Sequence, residues 1–342
     1  MFELMEGMEI WVDEKAPFKV MKRVGEGTLG EVWQIQDRQG EMYALKIIRV
    51  PDETDAYAQE FIKKIEILHT IEHLHILPIL HYGLLPFEGR KPSIVGNRWK
   101  TDKQVGMPFL ITAYSERSLA DYILEENRDP MEELDYALQL CLGLNKIHSY
   151  YIPGSRGLEP FFHGNLKPSN VFFFKKGKKQ IVKISDLGLS GLGVSVFPSF
   201  QTDIADLAPI LRQVISSPSP RIGQWIEEIG KKRHSNNVLG KLIKAIWDER
   251  NTLHKKRMAR TLCLLGMNLY QKGSHDYALK DFQKAISLDP ELFDAFLYQG
   301  DVLKEMERYE EAFASYEKAL QLKNAAAIVY ENRAEIHAEK KC

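Results

Sequence analysis

The chain of 342 residues predicts an α+β domain followed by an all-α repeat segment. Three observations carry that reading. Residues 18–50 alternate apolar and polar positions between glycine-rich turns, the pattern of strands and hairpins. From "SLADYILEEN" onward the apolar residues recur at helical spacing. Beyond residue 252 small and aromatic residues recur at a period of 34, which marks a helical repeat. A strand-rich stretch followed by a helical one is the α+β arrangement.

The elements follow in order. Residues 1–16 read as an N-terminal extension, and residues 17–252 as one domain whose strand-rich lobe ends near 114 and whose helical lobe covers 115–252. In "DAYAQEFIKKIEILHTI", Phe61, Ile62, Ile65 and Leu68 share one helix face. "LHILPILHYGLL" and "MPFLITAY" read as two more strands, and the polar, basic stretch between them as a loop insertion. "MEELDYALQLCLGLNKIHSY" and "TDIADLAPILRQVI" read as helices, with a hairpin between them after residue 170. The repeats occupy 253–342. Ala278, Phe282, Ala285 and Gly266 recur as Ala312, Tyr316, Ala319 and Gly300. This pattern resembles the tetratricopeptide repeat, in two copies at 259–292 and 293–326, with a lone helix at 327–342 that either caps the stack or begins a third copy. The resemblance implies a concave groove for a protein or peptide partner. "NTLHKKRMARTLCLLGMNLY" can form one helix with Asn251 or Thr252 as its N-cap. With no Gly- or Pro-rich linker before it, the repeats are expected to be docked.

Composition excludes little. The chain is 44% hydrophobic and 27% charged with a formal net charge of −1, which gives no reason to expect nucleic acid or an anionic membrane as partner. No apolar run approaches the roughly 18 residues of a membrane helix. The acidic N-terminus lacks a signal pattern. Cys141, Cys263 and Cys342 are dispersed and odd in number, which argues against a disulfide framework and suits a reducing cytoplasm.

The chemistry is concentrated in four motifs. "VGEGTLGEV" sets Gly25, Gly27, Gly30 and Val32 in the pattern G-x-G-x-x-G-x-V. A dinucleotide-binding turn would need a helix directly after the third glycine; the β-rich "EVWQIQD" follows instead, so the glycines belong to a strand–turn–strand flap whose backbone can approach phosphate. In "YALK", Ala44 and Lys46 fall on one side of a strand. "HGNLKPSNVFFF" and "DLGLS" complete the set.

In this order these motifs resemble the protein kinase domain, over residues 17 to about 252. The resemblance implies a two-lobed fold holding ATP and Mg²⁺. The flap covers the phosphates, Ala44 leaves room for adenine, and Lys46 meets the phosphates. Thr112 stands at the gatekeeper position, Ala113, Tyr114 and Ser115 offer hinge backbone groups to adenine, and Phe172 is a further cofactor-binding residue. Lys167 reaches the terminal phosphate, and Asn170 and Asp186 supply metal oxygens. Four positions depart from the family. Asn165 stands at the catalytic Asp, and an amide takes up no proton near neutral pH. Lys64 stands where a Glu would pair with Lys46, unless a shifted register brings in Glu60 or Glu66. Gly164 replaces the Arg that reads a phosphorylated loop. Only residues 187–202 separate Asp186 from Asp203, a shortened substrate segment without Ala-Pro-Glu. Arg250 resembles the arginine that would pair with that missing Glu.

The resulting expectation is an ATP-binding signalling or scaffold pseudokinase with absent or very weak phosphotransfer. An active atypical Ser/Thr kinase and a structural adaptor that binds no nucleotide are the alternatives. His69, His73, His75 and His81 read as structural rather than metal-binding, and "KKGKK" at 175–179 as a solvated hairpin tip.

Overall fold

The computed structural model describes residues 4–11, 17–27, 30–49, 55–86, 106–154, 157–187, 199–231, 237–323, 329–330 and 332–334. They form two compact units, Met1–Trp247 and Asp248–Cys342.

The first unit begins with an antiparallel six-stranded sheet. Its strands are β1 (Glu9–Trp11), β2 (Pro17–Gly27), β3 (Gly30–Gln36), β4 (Met42–Ile48), β5 (Ile79–Pro86) and β6 (Gly106–Ala113), in the order β1-β2-β3-β4-β6-β5. Residues 9–11, read as part of an extension, enter this sheet. Ile10 pairs with Phe18, and Leu4 and Ile10 are buried with Val20, Trp33, Ile35 and Leu45. Helix α1 (Asp55–His69) buries Phe61, Ile62, Ile65 and Leu68, the face expected from its spacing. The loop insertion expected between β5 and β6 falls mostly on 87–105, outside the described residues.

The helical part is built on α3 (Pro130–Ile147). It starts at Asp129, which caps Met131 N–H, with Pro130 in the first turn where its missing N–H costs nothing. Helix α2 (Leu119–Ile123) opens with a reciprocal capping box between Ser118 and Asp121. Between α3 and the "HGNLKPSN" loop stands an unanticipated hairpin, β7 (Tyr151–Gly154) and β8 (Gly157–Pro160). A 3₁₀ turn (Pro168–Asn170) leads into the hairpin β9 (Val171–Lys176) and β10 (Lys179–Ile184), whose tip carries the lysine run. Helices α4 (Phe200–Val214) and α5 (Pro220–Ile229) follow, capped by Ser199 and Ser219.

Helix α6 runs Val238–Gln271 without interruption. Asn251 and Thr252 are therefore interior helical residues and not the expected cap; Thr252 Oγ1 donates to the Asp248 carbonyl one turn back.

In the second unit α6 is followed by α7 (His275–Leu288), α8 (Phe293–Glu305) and α9 (Tyr309–Leu322). Ala278, Ala285, Ala312 and Ala319 are fully buried, and so are Phe282 and Tyr316. Each aromatic ring lies against the repeat glycine: a Cβ on Gly266 would sit 2.8 Å from Phe282 Cε1, and one on Gly300 would overlap Tyr316. The 34-residue period is thus a packing rule, small residue against ring. The two copies differ in polarity. Phe282 stacks on Tyr298 and packs in a cluster with Met267. In the second copy Tyr316 Oη donates to Asp301 Oδ1 at 2.7 Å, and Asn332 Nδ2 donates to the same oxygen at 2.7 Å. Burial raises the Asp301 pKa, partly offset by these donors.

Cys141 and Cys263 are free and buried, and burial lifts their thiols to about 12 and about 11, away from thiolate chemistry. No described helix is long and apolar enough to cross a membrane.

Candidate nucleotide cleft and catalytic loop

A cleft of about 200 Å³ opens between the sheet and the helical part of the first unit. Strand pairing places its walls. Val32 is opposite Lys46, and Ala44 is opposite Thr112. Alternation then turns Val32, Ala44, Lys46 and Thr112 toward the cleft while Leu45, Ile47 and Ile111 face the core. Ala113, Tyr114, Ser115, Asn170, Phe172 and Asp186 also line it. Tyr114 N–H already donates to the Met42 carbonyl at 3.4 Å, and Ser115 Oγ to the Phe173 carbonyl at 2.7 Å, so Ser115 braces the hinge.

Sequence reasoning missed the apolar liners Val24, Leu68, Leu77, Ile79, Leu110 and Leu187, together with Ser169 and Ser185. An apolar strand residue announces burial without saying against what.

Gly25, Gly27 and Gly30 are not among the lining residues. They lie in the β2–β3 hairpin, where Gly25 pairs with Val32 and Gly27 with Gly30; residues 28–29 are outside the described set. Gly30 has φ +143°, and a Cβ there would run into the Ile47 carbonyl. The position requires glycine for the close approach of β4.

The polar end of the cleft is held by an ion pair. Lys46 Nζ lies 2.6 Å from Asp186 Oδ2, with the two side chains 12% and 20% exposed. Asp186 has φ +60°, in the left-handed region, which Asp tolerates better than most residues. On α1, Glu66 is exposed and contributes to raising the pKa of Tyr82; the Glu60 side chain is outside the described set. Lys64 lies one turn before the cleft-lining Leu68, on the same helix face.

The "HGNLKPSN" loop is braced from below. The fully buried carboxylate of Asp203 on α4 accepts from His163 N–H at 2.8 Å and Gly164 N–H at 2.7 Å, and pairs with His148 Nε2 at 2.9 Å. His163 Nδ1 accepts from Asn165 N–H at 3.1 Å, which makes Nε2 the protonated nitrogen, donating to the Ser185 carbonyl at 2.8 Å. Burial lowers the His163 pKa and keeps the ring neutral in that tautomer. Gly164 has φ +78°, a backbone reason for glycine where the family has arginine. Asn170 Nδ2 donates to the Asn165 carbonyl at 2.9 Å. The backbone of Asn165 is thus fixed on both sides. Lys167 is exposed; Lys167 and Asn165 lie outside the cleft lining.

These contacts decide whether Mg²⁺ fits. With its amide nitrogen engaged, Asn170 keeps Oδ1 for a cation, and Asp186 keeps Oδ1 beside the oxygen held by Lys46. Both are hard oxygen donors of the kind Mg²⁺ takes.

The four histidines have structural duties. His69 Nδ1 contacts the Ile79 carbonyl at 2.7 Å, His75 Nδ1 the Val182 carbonyl at 3.1 Å, His73 accepts from His75 N–H, and the His81 ring packs on Phe18. No metal-binding group of His, Cys, Asp or Glu occurs among the described residues.

Comparison with known families agrees with this geometry. The family model for the protein kinase domain matches residues 18–196. Two models for tetratricopeptide repeats match 259–292 and 300–341. Among curated proteins the chain is similar to cyclin-dependent kinase 10 of Homo sapiens, 31% identical over 186 residues that cover 53% of this chain and 43% of the relative. It is 28% identical over 177 residues to the probable cyclin-dependent kinase 9 of Schizosaccharomyces pombe, covering 51% and 26%. With cyclin-dependent kinase 9 of Danio rerio the identity is 25% over 194 residues, covering 56% and 46%. The chain spans less than half the length of each of these relatives.

Proposed function

The chain belongs to the protein kinase family and carries tetratricopeptide repeats behind its kinase domain, and from that premise we propose that it is a pseudokinase scaffold: it holds ATP with Mg²⁺, transfers phosphate very slowly or not at all, and binds a protein partner through its repeats. One observation carries the reading. Ala44, Lys46, Asn170 and Asp186 converge on a single cleft, while the base position in the adjoining loop is Asn165.

Each residue's part follows from its chemistry. Val24, Val32 and Leu110 offer apolar surface to a base, and Ala44 leaves the space for it. Lys46 supplies positive charge to phosphate. Asn170 and Asp186 would hold Mg²⁺, which neutralises phosphate charge when bound. Asn165 can donate or accept a hydrogen bond but cannot take a hydroxyl proton. General base catalysis is worth roughly 10²–10⁴-fold. The segment between Asp186 and α4 is short, and it leaves little chain to seat a peptide. The repeats are the natural place for a protein partner, because stacked helix pairs present an extended concave surface.

A melting curve with and without Mg–ATP, run beside a phosphotransfer assay, tests the proposal. The expected result is a clear rise in melting temperature with no phosphoprotein. Robust transfer by the natural chain, lost in Asp186→Ala, would replace this reading with an active kinase. Absence of any nucleotide shift would replace it with an empty adaptor.

A further inference from the structure

The 34-residue period sets Thr261, Ala295 and Val329 at one repeat position. Ala295 and Val329 are fully buried in the shared core of the repeats. Thr261 is exposed, and Met258, Leu264 and Leu265 beside it are 45%, 60% and 50% exposed. Residues 258, 261 and 265 recur at helical spacing, so they form one outward stripe on the part of α6 within the second unit. We infer that this stripe is a docking face for an amphipathic helix of a partner protein, apolar at its centre and acidic at its edges. It is a surface additional to the concave groove proposed above.

The later copies show what covers such a face. Tyr298 stands 34 residues after Leu264, and its ring stacks on Phe282 of α7 with centroids 6.1 Å apart. Leu292, the counterpart of Met258, packs on the same cluster. One copy further, Val329 is buried, and Arg333 lies over the Phe313 ring of α9 at 4.1 Å. Each later copy is thus covered by the helix before it. The first copy has no such helix, because α6 runs unbroken from Val238 to Gln271. A solenoid end is ordinarily closed by a polar outer face; here three apolar side chains stand outward. The Thr261 hydroxyl between them donates back to the Arg257 carbonyl at 3.1 Å, so its polar atom is used within the helix.

Charge selects the occupant. Residues 251–271 contain no Asp or Glu, and Lys255, Arg257 and Arg260 are exposed beside the stripe. Arg260 stands where α8 has Asp294, so the sign of this edge is reversed between the copies. Complementary charge sets partner choice, and a helix with acidic edges supplies it. A second copy of this chain does not, because its α7 and α9 already cover α8 and residues 329–334, and two basic α6 faces repel. A helix lying on a membrane needs a broad apolar face; Ala259 and Cys263 of α6 are buried in the repeat core, which leaves only a narrow stripe outside.

The test uses the full chain and a fluorescent, stapled helical peptide copying α7, His275–Leu288, the helix that covers the equivalent face of α8. In the probe Lys280→Glu and Lys284→Glu make its edges acidic, and the unaltered peptide is the control. Anisotropy should show the acidic peptide binding at least about tenfold more tightly than the control. Leu264→Glu in the full chain should weaken that binding about tenfold or more, with little change in melting temperature because the side chain is exposed. Arg260→Glu should reverse the preference between the two peptides, and serves alone should Leu264→Glu not fold. No binding, or binding that neither substitution changes, overturns the inference. Retention of the chain on vesicles of equal parts phosphatidylcholine and phosphatidylserine, lost in Leu264→Glu, would give the face to a membrane instead. Dimers in sedimentation, lost in the same variant, would give it to a second copy.

Discussion

The proposed nucleotide cleft and the "HGNLKPSN" loop adjoin each other in one domain, yet most of their polar side chains are used differently. In the cleft they line the space behind apolar walls: Lys46 pairs with Asp186, and Asn170 faces the same cleft through its remaining amide oxygen. In the loop they point at the backbone. Asp203 holds the amides of His163 and Gly164, His163 joins Asn165 to Ser185, and Asn170 holds the Asn165 carbonyl. The loop keeps its shape through contacts that do not involve the Asn165 side chain. On the proposed reading, an amide at Asn165 leaves the architecture standing, and likeness of fold reports on the scaffold more than on turnover.

The sharpest way to break this contrast is to remove the brace. Asp203→Ala leaves two backbone amides and His148 without their buried carboxylate. The expected loss is about 3–5 kcal/mol of stability, read in a thermal or denaturant melt. A loss confined to a fraction of that would show the loop to be held by something else.

Next in size is a substitution on the cleft side. Ala44→Phe fills the space opposite Thr112 without touching the loop. Nucleotide at about 100 times its dissociation constant stabilises a protein by about 2.7 kcal/mol, and this variant should lose that stabilisation while its ligand-free melting temperature changes far less. Retention of the full nucleotide shift would place the base elsewhere.

A smaller effect is expected from pH. Burial depresses the folded-state pKa of His163 below 6.5, and of His75 likewise. Above 6.5 both folded and unfolded chains hold these rings neutral. As pH falls below that value the unfolded chain takes up protons that the folded sites refuse, so stability drops by up to about 1.4 kcal/mol per pH unit for each ring. The loss continues down toward the folded pKa. His163→Gln should flatten part of the slope; an unchanged slope would assign the acid lability to other groups.

The smallest effect is expected at the base position itself. Asn165→Asp restores the carboxylate in a loop already shaped for it, yet with a short segment before α4 it should leave nucleotide affinity unchanged and produce little or no phosphotransfer. Substantial activity in a peptide assay would show that the base alone was missing.

Much of this was legible in the sequence. Ala44 and Lys46 on one strand, the spacing to Asn170 and Asp186, and the apolar face of α1 all follow from period and motif, because local geometry sets them. The Gly266–Phe282 and Gly300–Tyr316 contacts were legible as a 34-residue period. What stayed hidden depended on distant partners. Ile10 sits in a short acidic stretch with no strand period, and only the neighbouring β2 makes it part of the sheet. Asn251 and Thr252 look like a cap, but tertiary context runs α6 straight through them. That Lys46 pairs with Asp186 required coordinates. The exchange of Phe282 and Met267 for Tyr316 and Asp301 between the repeats likewise gained meaning only once Asn332 was seen beside Asp301.

The central claim, that this domain holds ATP without spending it, is tested most directly by a single-turnover experiment. The full chain, in excess over γ-labelled ATP and with Mg²⁺ present, would be followed for bound ATP, free phosphate and labelled protein. The account predicts that label stays in intact, protein-bound ATP through many hours. Label appearing in protein or free phosphate with the natural chain, and not with Asp186→Ala, would contradict it.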